Sequence, residues 1–156
     1  MYTGQPGSLV PAGLAPEKLV IRERLAPANL LPCLSTYYAL PTSLAPAKLL
    51  FICSQNRWRS LTAERLFDGH PTYEARSAGT EPGARVRVTA GHLGWADVVL
   101  VMERKHTDIL RQKFGDALAG KLIINLRIPD KFQFMDHILQ DLLRERVREH
   151  IGPDAL

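Results

Sequence analysis

From residue 48 onward the apolar positions fall into short runs that alternate between strand spacing and helix spacing. Lys48 to Ile52 reads as a buried strand, and Ser60 to Asp68 as a helix with Leu61, Ala63, Leu66 and Phe67 toward a core. Gly69 and Pro71 end that helix. Tyr73 to Ser77 alternates as a short strand, and Ser77 to Gly83 carries the small and turn-forming residues of a bend. Thr89 can cap a short helix reaching Trp95. Asp97 to Met102 is a continuous apolar strand of the kind buried on both faces in a parallel sheet, which makes it central. Glu103 to Phe114 reads as a helix closed by Gly115, and Lys121 to Leu126 as a fourth strand. Asp136 caps a last helix whose stripe is Ile138, Leu139, Leu142, Leu143, Val147 and Ile151, stopped by Gly152 and Pro153. Strand and helix in alternation predict an α/β domain over residues 48–152: a four-stranded parallel sheet with helices on both faces. An irregular loop, Arg127 to Met135, separates the last strand from the last helix.

The first 46 residues break this pattern. Seven of the eleven prolines fall there, at positions 6, 11, 16, 27, 32, 41 and 46, and proline forbids long helices and central strands. Residues 1–47 are therefore expected to be a flexible, proline-rich extension without a catalytic role, and residues 153–156 a short tail. The whole chain, at 156 residues, has room for one core. Its 46% hydrophobic and 23% charged content excludes collagen-like, coiled-coil and wholly disordered classes.

Charge changes the picture only slightly. The net +4 divides into three Lys/Arg against two Asp/Glu up to residue 47 and seventeen against fourteen after it, with no polybasic block. Nucleic acid is thus not the expected partner, whereas a small or local anionic ligand is. Every apolar run is far shorter than the roughly 20 residues a spanning helix needs, so no membrane association is expected. Two cysteines, Cys33 and Cys53, cannot build a disulfide scaffold, which points to a reducing cytoplasm.

Chemistry concentrates directly after the first strand. Cys53 is followed by Ser54, Gln55, Asn56, Arg57 and Trp58, then by Arg59 and Ser60, which lead straight into a helix. A loop of this length can curl until its backbone N–H groups and the helix N-terminus converge on one point, forming a site for a phosphate-like dianion. Cys53 would lie beneath that point. The same amides and Arg59 favour a thiolate, the form of cysteine that acts as a nucleophile. The planar fork of Arg59 can hold two oxygens of the anion at once. Cysteine, five residues, arginine and a hydroxyl residue form a modest signal alone. The strand before, the helix after, and the position at the carboxyl end of a parallel strand each add to it.

A thiolate that displaces an alkoxide or a phenolate also needs an acid, because a leaving group of pKa about 10 departs slowly at neutral pH without protonation. Asp130 in the irregular loop is the candidate, since that loop emerges at the same sheet edge as Cys53. Asp136 stands where a helix N-cap is needed, and Asp97 opens a strand at the opposite edge. The five histidines, His70, His92, His106, His137 and His150, match no metal-site spacing, and core or solvated roles are expected for them. No metal or cofactor is expected.

These residues resemble those of the low-molecular-weight protein tyrosine phosphatases, particularly the shorter bacterial branch, over most of residues 48–151. Leu49 to Cys53 is similar to the family's first strand and nucleophile, and Arg59-Ser60 to its phosphate-binding arginine and the hydroxyl that bonds the thiolate. Asn56 resembles the left-handed loop asparagine. Ser77-Ala-Gly-Thr80 resembles the segment whose serine braces that asparagine, and Ile128-Pro129-Asp130 the loop bearing the general acid. The resemblance implies a phosphotyrosine protein phosphatase I-like fold, Ser77 in a supporting role, and a phosphorylated protein or small aryl phosphate as partner. Gln55 stands where the family usually has glycine, Trp58 where many members carry a second cysteine, and Lys131 where proline is common. Phe132 and Gln133 replace the tyrosine pair that lines the substrate cleft, leaving Phe132 to stack on a phenol ring. The reading is a phosphatase working through a cysteinyl phosphate on Cys53, with Arg59 as anion holder and Asp130 as acid. Its rivals are arsenate reduction on the same fold with an external thiol, and a non-catalytic phosphate-binding module.

Overall fold

The computed structural model describes residues 45–156, and the extension expected at 1–47 lies almost wholly outside them. Four strands form: β1 (Ala47–Cys53), β2 (Tyr73–Gly79), β3 (Val98–Val101) and β4 (Leu122–Asn125). All pair in parallel in the order β2-β1-β3-β4. Four helices connect or follow them: α1 (Arg59–Leu66), α2 (Ala90–Trp95), α3 (Arg104–Phe114) and α4 (His137–His150).

Alternation along the central strands divides the core in two. Leu49, Phe51, Val98 and Leu100 face α1 and α4 through Ala63, Phe67, Leu139, Leu143 and Val147. Leu50, Ile52, Val99 and Val101 face α2 and α3 through Leu93 and Leu110. Both faces are covered, which is why β1 from Leu49 onward and all of β3 are apolar at successive rather than alternate positions. Each of the Leu, Ile, Val and Phe side chains among them contributes about 1.5–3 kcal/mol when fully removed from water.

Strand order reverses between β1 and β3, since the chain leaves β1 toward β2 on one side and returns to the other. In an open parallel sheet this is where the carboxyl ends splay and leave a crevice. Four loops reach that edge: the one after Cys53, the one after Gly79, the start of α3 at Glu103, and the segment from Leu126 to Asp130. Asp97 lies at the other edge, where its carboxylate accepts from the Lys48 N–H at 2.9 Å.

Several local expectations need correction. Ile138 is 57% exposed rather than part of the α4 stripe, because Asp136 caps the helix and leaves its first turn at the surface. On α1 it is Thr62, not Leu61, that is buried. Helix α3 does end before Gly115, but this glycine stays right-handed and leads into a 3-10 turn at Asp116–Leu118. The left-handed position is Gly120, at φ 72°. Residues 153–156 are no tail: Pro153–Ala155 forms a 3-10 turn and Ala155 enters the core beside Ile151.

Candidate active site

Cys53 is the last residue of β1, and the chain must reverse within a few residues to start α1 at Arg59. The reversal is made by Asn56, at φ 55°, a conformation that asparagine tolerates better than most residues. Gln55, in the position that the family resemblance gives to glycine, is not among the residues with positive φ, so a side chain fits there without strain.

The hydrogen bonds inside the loop have determinable directions. Asn56 Nδ2 donates to Ser60 Oγ at 2.9 Å and to Ser77 Oγ at 2.7 Å. Ser77 spends its own hydrogen on the Glu64 carboxylate. Ser60, having accepted from Asn56, has its hydrogen left for Cys53 Sγ at 2.9 Å. The Asn56 backbone N–H also points at Cys53 Sγ, at 3.2 Å. The sulfur therefore receives two donors, an arrangement that suits an anionic sulfur.

The segment that follows β2 supports the loop from outside. The Thr80 and Glu81 N–H groups donate to the Cys53 and Ser54 carbonyls, each at 3.0 Å, and the Arg85 N–H to the Gln55 carbonyl at 2.9 Å. Arg85 Nε also bonds the Asn56 carbonyl at 3.1 Å. Approach is so close at Gly79 that a Cβ there would lie 2.5 Å from the Ser54 carbonyl oxygen. Glycine is required here by space alone, its φ being ordinary.

Arg59 is the largest fully buried side chain of the molecule's described part, at 2% exposure. Its Nη1 donates to Glu103 Oε1 at 2.5 Å and to the Ile128 carbonyl at 2.8 Å, and its Nη2 pairs with Asp130 Oδ1 at 3.0 Å. A buried cation needs such partners, and they in turn fix the plane of the guanidinium. For Glu103, burial alone would raise the carboxyl pKa. Hydrogen bonds and charge from Arg59 and Lys105 outweigh that and hold it below the usual carboxylate value.

Beside Arg59 lies His106, completely buried at the start of α3. Burial first, and then the positive charge of Arg59, lowers its pKa to about 4, with Lys105 acting the same way and Glu103 and Asp130 opposing. The ring is neutral at pH 7. Its Nδ1 accepts from the Glu103 backbone N–H at 3.1 Å, so the proton is on Nε2, which lies 3.0 Å from Ser54 Oγ.

A pocket of about 200 Å³ opens at this edge, lined by Cys53, Ser54, Gln55, Arg57, Trp58, Arg59, Glu81, Lys105 and Asp130. The expected nucleophile, arginine and acid thus meet in one place. Asn56, Ser60 and Ser77 lie beneath the pocket rather than lining it. Phe132 does not join them: it is 6% exposed and packed into the core with Ile128 and Leu139, because the chain turns inward after Lys131. The aromatic side chain at the pocket is Trp58 instead, 49% exposed at the loop's end. Asp136 is an N-cap, accepting from the Ile138 N–H at 2.9 Å.

Glu103, His106 and Glu64 were not singled out by sequence. Glu103 and His106 stand one helical turn apart directly after the strand expected to be central, so their position at the carboxyl edge was a usable signal. Glu64 follows Ser60 at helical spacing, with nothing in its own segment to distinguish it from a solvated acid.

No protein-family model and no curated protein matches the sequence. Solved structures do match by shape. The tyrosine phosphatase Wzb from Escherichia coli, in complex with phosphate, is 23% identical with a TM-score of 0.55, over 67% of this chain and 96% of that one. The YwlE arginine phosphatase from Geobacillus stearothermophilus is 22% identical with a TM-score of 0.51, over 65% and 86% of the two chains. A low-molecular-weight protein tyrosine phosphatase from T. tengcongensis is 20% identical with a TM-score of 0.51, over 64% and 92%. The chain has the low-molecular-weight tyrosine phosphatase fold. Within that fold it accounts for nearly the whole of the Escherichia coli structure, so the likeness extends across the sheet and its helices and is not confined to one motif. Among the described residues no helix is long and apolar enough to cross a membrane.

Proposed function

We propose that this chain is a phosphatase that hydrolyses phosphotyrosine or another aryl phosphate through a cysteinyl-phosphate intermediate. The observation that carries the reading is the meeting of Cys53, Arg59 and Asp130 at one pocket, with Arg59 Nη2 and Asp130 Oδ1 3.0 Å apart. The sulfur of Cys53, supported by Ser60 and the Asn56 amide, attacks phosphorus, and the bond to the leaving oxygen breaks. Arg59 and the loop amides hold the other phosphoryl oxygens as charge shifts among them. Asp130, in its protonated form and with Arg59 turned over to the phosphoryl oxygens, gives its proton to the departing phenolate. As a carboxylate it then takes a proton from the water that attacks the cysteinyl phosphate, which releases inorganic phosphate and restores both groups.

Trp58 supports the aryl part of this reading, since an exposed indole at the pocket mouth offers a face to a phenol ring. It takes the place that sequence reasoning gave to Phe132. The phosphorylated partner is then a protein tyrosine or a small aryl ester, met in a reducing cytoplasm where the thiol persists.

Purified protein assayed on p-nitrophenyl phosphate and on a phosphotyrosine peptide tests the proposal, with a phosphoarginine peptide as comparison. Cys53→Ser should lower turnover by about 10⁴-fold or more while inorganic phosphate still binds, because the amides and Arg59 remain. Turnover that survives Cys53→Ser, or that is confined to phosphoarginine, would overturn the proposed nucleophile or the proposed substrate respectively.

A further inference from the structure

Ser54, which lines the pocket, and His106, bonded to it from behind, form a buried polar pair that the proposed mechanism leaves unused. We infer that His106 donates from Nε2 to Ser54 Oγ and so frees the Ser54 hydroxyl hydrogen for a phosphoryl oxygen bound in the loop. Ser54 is then a substrate-contacting catalytic residue and His106 a positioning residue. This rests on the reading that the loop takes a phosphoryl group.

The argument is one of donor accounting. A serine hydroxyl has one hydrogen to give and lone pairs to receive with. If His106 Nε2 were an acceptor, that hydrogen would be consumed inside the protein. Nδ1 is already occupied by the Glu103 N–H at 3.1 Å, so Nε2 must donate across its 3.0 Å contact. Among the described residues Ser54 Oγ has no other hydrogen-bond partner, and Ser54 lines the same pocket as Cys53 and Arg59. Glu103 thereby aims two groups: its carboxylate holds Arg59, and its backbone N–H sets the tautomer that orients Ser54. A fully buried imidazole with both nitrogens committed is more than filler, because an apolar side chain would fill the space without a desolvation cost.

The full chain can be tested by calorimetric titration with orthovanadate and inorganic phosphate, alongside steady-state kinetics on p-nitrophenyl phosphate. Ser54→Ala should weaken orthovanadate binding by about tenfold, the usual weight of a hydrogen bond to a charged oxygen. It should lower kcat by a similar factor, and Ser54→Thr, which retains a hydroxyl, should recover most of both. His106→Gln should weaken orthovanadate comparably in the otherwise unaltered chain and add nothing further in the Ser54→Ala background, a non-additivity that a merely structural histidine would not produce. Unchanged orthovanadate affinity in Ser54→Ala, or equal losses from His106→Gln in both backgrounds, would overturn the inference. If the unaltered chain binds orthovanadate yet cleaves no ester, the phosphatase reading fails while the affinity ratios still decide the role of Ser54. If the chain cleaves esters and Ser54→Ala is indifferent, only the present inference fails.

Discussion

The two halves of the pocket are built in opposite ways. Its floor, from Cys53 to Ser60, is buried at Cys53, Asn56, Arg59 and Ser60 and is braced from several sides, by Ser77, Glu103, His106, Arg85 and the segment after β2. Its opposite side, the loop from Arg127 to Met135, leaves Asp130 half exposed and holds it to the floor through a single ion pair with Arg59. That loop starts in register, with the Ile128 N–H on the Met102 carbonyl at 2.8 Å, and then leaves the sheet. The difference teaches a division of labour. A floor fixed from several sides can present donors to an anion with no rearrangement, which is the condition for electrostatic catalysis. A lightly held acid can adjust to the leaving group that the proposed reaction requires it to protonate.

The sharpest test of that division is on the lightly held side. Asp130→Asn retains size and polarity but has no proton to give, so turnover of a phosphotyrosine peptide should fall by about 10²–10⁴-fold. The loss should shrink as the leaving group becomes more acidic, because such groups depart unprotonated. Stability should hardly change, since an aspartate half in water contributes little through one ion pair. A loss equal across leaving groups of different acidity, seen in a series of substituted phenyl phosphates, would deny Asp130 the acid role.

The floor should respond to pH through stability. His106 titrates at about 4 when folded and near 6.5 when unfolded, because burial and Arg59 disfavour its charged form. The unfolded chain therefore binds the proton first. Its contribution to stability is fully present above pH 6.5 and is lost as pH falls through that value toward 4, the loss reaching about 3 kcal/mol at the lower end. Thermal melts of the unaltered chain and of His106→Gln should diverge across this window, the substituted chain showing the smaller decline. Parallel declines would mean that Glu103 and Asp130, the acids facing the ring, relax its burial.

Much of this division was legible in sequence, and unevenly so. The floor announces itself because its constraints are local: a strand, a cysteine, a left-handed asparagine and an arginine within one turn of chain. The sheet was legible for the same reason, since Leu49 to Cys53 of β1 and the whole of β3 are apolar without interruption. What could not be read is what depends on distant segments. Phe132 stands two residues after Asp130 in an irregular loop, and only the path of the chain decides that it enters the core instead of the pocket. Trp58 looked like a missing cysteine in a motif and is the exposed ring at the pocket mouth. Glu103 and His106 became part of the floor only once β3 was set beside β1.

Close approach between β2 and the floor supplies a smaller effect. In Gly79→Ala the new methyl would meet the Ser54 carbonyl oxygen and Ala84 Cβ, both at 2.5 Å. Neither can move freely, because the Glu81 N–H bonds that carbonyl and β1 is paired to β2 along its length. Overpacking of this kind costs about 1–3 kcal/mol. Activity should fall with it as the loop shifts. Gly83→Ala, with no atom within 4 Å of the added methyl, should melt as the unaltered chain does. Equal melting temperatures for the two alanine variants would show the floor to be more yielding than its bonding implies.

The smallest effect is expected from the same chemical change made at the far end of the acid loop. Asp136→Asn replaces a carboxylate that accepts from the Ile138 N–H at 2.9 Å, and asparagine can make that bond equally well. What is lost is one negative charge at the N-terminus of α4, worth about 0.3–1 kcal/mol against the helix dipole and less in salt. Turnover should stay within about twofold, since Asp136 does not line the pocket and its side chain is committed to the helix. The pair of asparagine variants thus separates chemistry from capping with one kind of substitution: Asp130→Asn should lose rate and keep stability, and Asp136→Asn should lose a little stability and keep rate. If the ranking reverses, with Asp136→Asn slowing phosphotyrosine hydrolysis in proportion to leaving-group basicity, the acid role belongs to Asp136. The Arg59–Asp130 pair would then be a structural tether between the two halves of the pocket.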